Sequence, residues 1–157
     1  MTTAIRDIMT KNVFKVNPSN TLREAAQLMK TEDIGSIPVC EGDRVIGIIT
    51  DRDIAIRAVA EVRDPGVTLV SEIMSKDIVG VRAESDIQEA ERLMHDHQLR
   101  RLPVLDDQGN LVGYLSMAKV ARTEAPENAG KVIQGVSQAS KPDPLSASGR
   151  KKSRKTG

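Results

Sequence analysis

A hydroxyl and a carboxylate three residues apart, Thr50 and Asp53, close the run Gly47-Ile48-Ile49-Thr50-Asp51-Arg52-Asp53. An apolar run ends at Thr50 and a helix is expected to start directly after it. The two side chains then meet at a helix N-terminus. A hydroxyl and an ionised carboxylate placed there can hold two adjacent OH groups, the diol that a ribose presents. The same spacing also suits a capping box, in which the pair satisfies the helix's own first amides, and spacing alone does not separate the two roles. Further along, the matching residues are Ser116-Met117-Ala118-Lys119. A cation at a helix N-terminus opposes the macrodipole, so local stability does not account for Lys119, and only the earlier copy is equipped for a diol. Conversely, Leu99-Arg100-Arg101-Leu102-Pro103 carries two arginines where Ile34-Gly35-Ser36-Ile37-Pro38 has none. Guanidinium groups in that place could clamp phosphate oxygens, or simply lie in an exposed loop beside acids such as Asp96. A ribose held by one copy and a phosphate held by the other would belong to one nucleotide bridging both.

The chain repeats itself. Ile8-Met9, followed by Lys11 and Val16, returns as Ile73-Met74, followed by Lys76 and Val81. Leu22 to Met29 returns as Ile87 to Met94, Ile37-Pro38-Val39 as Leu102-Pro103-Val104, and Val45 to Thr50 as Leu111 to Ser116. Two long copies are too few for a solenoid and indicate a duplicated half-domain with pseudo-twofold symmetry. In each copy a capping pattern, Thr21 with Glu24 or Asp86 with Glu89, opens a helix. Leu22, Ala25, Ala26 and Met29 form one apolar face, as do Ile87, Ala90 and Met94. An acidic, glycine-containing turn, Glu41-Gly42-Asp43 or Asp106 to Asn110, then joins two short apolar runs as a hairpin. A second helix follows, with Ile54, Ala55, Ala58 and Val59 expected on one side. Short strand, helix, hairpin, helix reads as β-α-β-β-α: an α+β unit with a three-stranded sheet that cannot close a core alone.

Composition excludes several functions. Phe14 and Tyr114 are the only aromatic residues and tryptophan is absent, too few platforms for a binder that stacks single-stranded bases. No apolar run approaches the roughly 20 residues that span a bilayer. The N-terminus lacks the apolar region of a secretory signal, and the single cysteine, Cys40, has no internal partner, so a cytoplasmic location is expected. Motifs for hydrolase, dinucleotide, P-loop and zinc chemistry are missing. His95 and His97, two apart on a helix, fall on opposite faces and cannot share a metal. Cys40 follows Val39 in a strand with no histidine near it in sequence, which favours packing over nucleophilic catalysis. The 23 Lys and Arg nearly balance 22 Asp and Glu for a net charge of +1, yet Lys141, Arg150, Lys151, Lys152, Arg154 and Lys155 crowd the last 17 residues beside a single acid, Asp143. An acidic body therefore carries a basic tail, rich in Ser, Pro and Gly and expected to be disordered from about Gly135. That tail is solubilising, or the one element that could meet nucleic acid.

The repeat resembles a tandem pair of cystathionine β-synthase (CBS) domains, a Bateman module, over residues 5 to 122. The marks are Arg6-Asp7-Ile8-Met9-Thr10, Ile34 to Val39 and Gly47 to Ile54, in that order and duplicated. The resemblance implies two β-α-β-β-α repeats packed sheet to sheet, with residues 1–62 and 63–125 as the repeats and 126–157 as an extension. It implies a non-catalytic regulatory module of the stand-alone bacterial type, commonly a homodimer forming a disc of four repeats, read by a regulated partner protein. The family's strand-end pattern G-h-x-[ST]-x-x-[DN] nominates Thr50 and Asp53 for the ribose of an adenine nucleotide. Its basic residues in the other repeat, for phosphate, are here Arg100 and Arg101, and the adenine is expected around Ile37, Pro38 and Ile48. AMP, ADP or ATP is expected ahead of NAD or S-adenosylmethionine, with no obligatory cofactor. Lys119 departs from the pattern: the second cleft is either empty or lends Lys119 to the first ligand's phosphate. The alternative is a ligand-free protein that dimerises and docks partners.

Overall fold

The computed structural model describes residues 3–124; the basic tail, and the disorder expected of it, lie outside the described residues. α1 (Leu22–Glu32) opens on the expected capping box. The Thr21 hydroxyl accepts the Glu24 amide at 3.2 Å, and the Glu24 carboxylate accepts the Thr21 amide at 3.3 Å. The Thr21 amide, then the Thr21 hydroxyl and the Asn20 side chain, hold Glu24 below the ordinary carboxylate range. Leu22, Ala25 and Met29 are buried as the stripe requires, while Ala26 faces solvent.

β1 (Ser36–Glu41) and β2 (Arg44–Thr50) form the antiparallel hairpin, with Ile37 opposite Ile49 and Pro38 opposite Ile48. The third strand expected in this repeat is reduced to one parallel bridge, Val16 to Val39. The chain leaves the sheet at once because Asn17 and Asn20 close a turn around Pro18. The Asn20 amide donates to the Asn17 carbonyl at 3.0 Å, and the Asn20 side chain accepts the Asn17 amide at 2.8 Å; proline offers no amide with which to extend a ladder. In the second repeat, β3 (Val81–Arg82), β4 (Arg101–Leu105) and β5 (Leu111–Ser116) do form three strands, parallel then antiparallel.

The helix after β2 departs from its expected face. α2 (Asp51–Asp53) passes into a π-helix, Ile54–Val59, in which the Ala60 amide donates to the Ala55 carbonyl at 3.0 Å, five residues back. This wider winding rotates later side chains away from an α-helical stripe. Ala58 is buried, but Ala55 is exposed and Val59 is 69% exposed. α3 (Val70–Ile73) and α4 (Ile87–His97) follow in order, and α5 (Met117–Thr123) succeeds β5. Asp86 caps α4 by accepting the Glu89 amide at 3.1 Å.

Two cores form, and each borrows from the other repeat. Val16, Leu22, Ile37, Val39 and Ile49 pack with Val70 and Ile73; Val81, Ile87, Met94, Leu102, Leu115 and Val120 pack with Ile5 and Ile8. The leading segments are pinned where they cross. The Ile5 amide donates to Ser85 at 2.9 Å and the Val70 amide to Asn20 at 2.8 Å. Each half thus completes its core with residues of the other. Two glycines let the segments pass. A Cβ on Gly47 would stand 2.9 Å from the Ser75 carbonyl oxygen, and one on Gly113 would stand 3.2 Å from that of Thr10. The backbones pair at those points: Ile48 and Ser75 exchange two hydrogen bonds of 2.9 Å, and the Tyr114 and Thr10 pair does so at 2.8 and 2.9 Å.

Candidate functional site between the repeats

Thr50 ends β2 with extended backbone and becomes the N-cap of α2. Its hydroxyl accepts the Asp53 amide at 3.0 Å, and the Asp53 carboxylate returns an acceptor to the Thr50 amide at 3.0 Å. The capping role is therefore present. It engages Asp53 Oδ2 and one lone pair of the threonine hydroxyl, leaving Oδ1, 4.0 Å from Arg57 Nε, and the hydroxyl proton for another partner. Asp53's side chain is only 16% exposed, so the cap also fixes the direction in which that second oxygen can act. Capping and diol binding are compatible in one pair of side chains.

A cleft of about 200 Å³ opens beside them. Ser36, Ile48, Thr50 and Asp53 line it from the first repeat. Leu99, Arg101, Pro103 and Tyr114 line it from the second, together with Ser75, Asp77 and Val79 of that repeat's leading segment. Ile48, Val79, Leu99 and Pro103 supply aliphatic walls. Thr50 and Asp53 on one side and Arg101 on the other are residues that the sequence nominated, from different repeats, for a diol and an anion. Arg100 does not line this cleft: it is exposed, and its carbonyl accepts the Met117 amide at 2.7 Å, tying β4 to the start of α5. Ile37 is fully buried in the first core, and Pro38 is buried in β1 opposite Ile48. Pro103, the counterpart of Pro38, reaches the cleft instead. Lys119 stands exposed in the first turn of α5, its amide donating to the Ser116 hydroxyl at 3.2 Å.

The twofold-related cleft, about 180 Å³, is lined by Thr10, Asn12, Val13, Phe14, Ile34, Ser36, Arg101, Tyr114 and Ser116. Both aromatic residues of the chain lie on it. Tyr114, the counterpart of Ile48, also walls the first cleft, and its hydroxyl meets that of Ser36 across the repeats at 3.2 Å. Burial raises the Tyr114 phenol above its ordinary value, against the opposing pull of the Ser36 hydrogen bond and the Arg101 charge. The phenol is therefore a neutral hydrogen-bonding group at physiological pH. Sequence reasoning missed Ser36, Tyr114, Ser75 and Asp77. The available signal was the repeat itself: residues aligned with Arg101 and Ile48 occupy the corresponding places around the axis.

Cys40 is buried, and that burial raises its thiol above the ordinary value despite nearby Lys15, a poor setting for a nucleophile. His95 and His97 are exposed at the end of α4. Among the described residues no three His, Cys, Asp or Glu side chains gather closely enough to hold a metal ion, and no helix is long and apolar enough to cross a membrane.

The family model described as CBS domain matches the chain twice, over residues 5–59 and 70–125. The CBS domain-containing protein YhcV of Bacillus subtilis (strain 168) is 42% identical over 135 residues, covering 85% of this chain and 95% of that protein. Hypoxic response protein 1 of Mycobacterium tuberculosis (strain ATCC 25618 / H37Rv) is 40% identical over 148 residues, covering 94% of this chain and all of the relative. A crystal structure of hypoxic response protein I with two coordinated zinc ions superposes with a TM-score of 0.71 at 40% identity, over 78% of this chain and all of that one. A crystal structure of CBSX2 in complex with AMP superposes with a TM-score of 0.67 at 25% identity, over 76% of this chain and 94% of that one.

Proposed function

The chain belongs to the CBS-domain family, and from that premise we propose that it is a non-catalytic regulatory module binding an adenine nucleotide between its two repeats. One observation carries the reading: Thr50 and Asp53 of the first repeat and Arg101 of the second line a single cleft. In this reading Asp53 Oδ1, the oxygen outside the cap, and the Thr50 hydroxyl take the ribose diol, Arg101 takes phosphate, and the base lies against Ile48, Val79, Leu99 and Pro103. The AMP complex of CBSX2 supports the ligand class. A ligand touching both repeats can favour one arrangement of them over another, and only that difference in affinity can be relayed to a partner.

The same reading includes a homodimer, supported by apolar side chains left in solvent in the π-helix and the loop after it: Ile56 is 48% exposed, Val59 69% and Val67 72%. Light scattering after gel filtration tests it, and a monomer at micromolar concentration would count against it. The ligand is tested by thermal melting of the full chain with millimolar AMP, ADP, ATP, NAD or S-adenosylmethionine. A ligand specific to the native state raises the midpoint by mass action. If none of the five shifts it, the chain is better read as a ligand-free docking protein.

A further inference from the structure

The two clefts are not independent. Ser36 and Arg101 occupy equivalent places in β1 and β4, so each should serve one cleft, but both of them line both clefts, as does Tyr114. The pseudo-twofold axis thus has one guanidinium beside it where a symmetric pair would have two. Ser36 is committed to Tyr114 through the 3.2 Å hydroxyl contact and brings no charge. The surroundings of Arg101 differ on its two sides. The first cleft contributes two carboxylates, Asp53 and Asp77; the second contributes none, with Asn12 at the place of Asp77. A phosphate in the second cleft therefore meets no opposing acid and can draw on Arg101, while a nucleotide in the first cleft needs the same group.

We propose that Arg101 is a single phosphate-binding group shared by both clefts, so that each chain holds one phosphorylated nucleotide tightly and a second only weakly. This rests on the nucleotide reading above and goes beyond it by assigning a stoichiometry and naming Ser36 as the residue that sets it. A planar guanidinium can pair bidentately with one phosphate; two phosphates claiming it would each lose part of that geometry and repel one another. Adenosine makes no such claim and does not compete in this way.

The test is calorimetric titration of the full chain with AMP and, separately, with adenosine. The wild type is expected to take one AMP, with a second equivalent at least tenfold weaker. Ser36→Arg, which supplies a second guanidinium at the axis, should narrow that gap at least fivefold. Arg101→Gln should weaken both AMP equivalents while leaving adenosine within twofold, and this second variant decides the matter if Ser36→Arg does not fold. Two equal AMP equivalents in the wild type, an unchanged gap in folded Ser36→Arg, or weakening of one equivalent alone in Arg101→Gln would overturn the sharing. Absence of any AMP or adenosine binding would instead overturn the nucleotide reading on which it depends.

Discussion

Replacing Asp53 separates the two duties that its carboxylate can perform. Oδ2 accepts the Thr50 amide at 3.0 Å, and the Thr50 hydroxyl accepts the Asp53 amide in return. Asp53→Asn retains an acceptor oxygen for that amide, so it keeps the box and removes only the charge; the unliganded protein should lose under about 1 kcal/mol, within the usual range for changes at a cap. Asp53→Ala removes the acceptor too and should cost about 1 kcal/mol, a midpoint shift of about 2–4 °C for a chain of this size. Binding should order the variants differently. A hydrogen bond to a charged group contributes about 1.5–3 kcal/mol and a neutral one about 0.5–1.5. Loss of charge at the diol then costs about 1–2 kcal/mol, or roughly 5- to 30-fold in Kd. Melting without ligand and calorimetry with AMP are the two assays. Asp53→Asn should melt near the wild type yet bind AMP at least fivefold more weakly. If its AMP affinity equals that of the wild type, Asp53 is a cap and nothing more.

Three further outcomes follow from the same geometry. Lys119→Asp places an acceptor opposite the Ser116 amide and removes a cation from the helix N-terminus, so α5 should gain about 0.5–1 kcal/mol, seen as a higher melting midpoint; an unchanged or lower one would show that Lys119 is stabilised by its surroundings. Gly47→Ala would drive a methyl group to 2.9 Å from the Ser75 carbonyl oxygen, straining the crossover between repeats by about 1–3 kcal/mol. Faster amide exchange at Ile48 and Ser75 should accompany the lower midpoint, and wild-type exchange there would refute the crossing. Glu91 is raised to about 7, first by burial and then by its contact with Glu124. The folded state therefore holds this proton more tightly than the unfolded chain, so the associated stability is full at acid pH and is lost as pH rises through 7. Glu91→Gln should be more stable than the wild type at pH 8 by about 1 kcal/mol after allowance for solvent screening, with the advantage gone at pH 5; an equal difference at both pH values would exclude the titration.

Much of this was legible in the residues, and what was not has definite causes. The capping boxes, hairpins and duplicated order are local: Thr21 and Glu24 stand three apart whatever the rest of the chain does. The π-helix at Ile54–Val59 was not legible, because its residues read equally well as an α-helix with Ile54, Ala55, Ala58 and Val59 aligned. Nor was the exchange of leading segments. Ile5 and Ile73 carry an apolar side chain suited to either core, and apolarity does not say which one. At the site, Thr50 and Asp53 could be named from spacing, and Arg101 from its contrast with Ser36. Tyr114 escaped because it stands in a strand position where an aromatic residue reads as packing. Only the crossing of β5 with the segment at Thr10 places its hydroxyl at the boundary between the clefts.

The differences between the two copies bear on function more directly than their likeness does. Positions that fill the cores remain apolar in both: Leu22 with Ile87, Ile37 with Leu102, and Ile49 with Leu115 are all buried. At and beside the clefts the copies diverge in charge, with Asp53 against Lys119, which lines neither cleft, Asp77 against Asn12, and Arg101 against Ser36. Folding does not demand these exchanges. Lys119 forgoes the reciprocal half of a capping box that Asp53 completes, and its charge opposes the helix dipole. Asp77 and Arg101 are exposed, where isolated charges contribute little to stability. A duplicated scaffold that needed only to pair could have kept both clefts alike. In the proposed reading, a diol group in one repeat and an anion group in the other would make a ligand span the boundary, so that its binding energy would act on the relative position of the repeats. That is the property a sensor requires, and a symmetric pair of clefts would lack it.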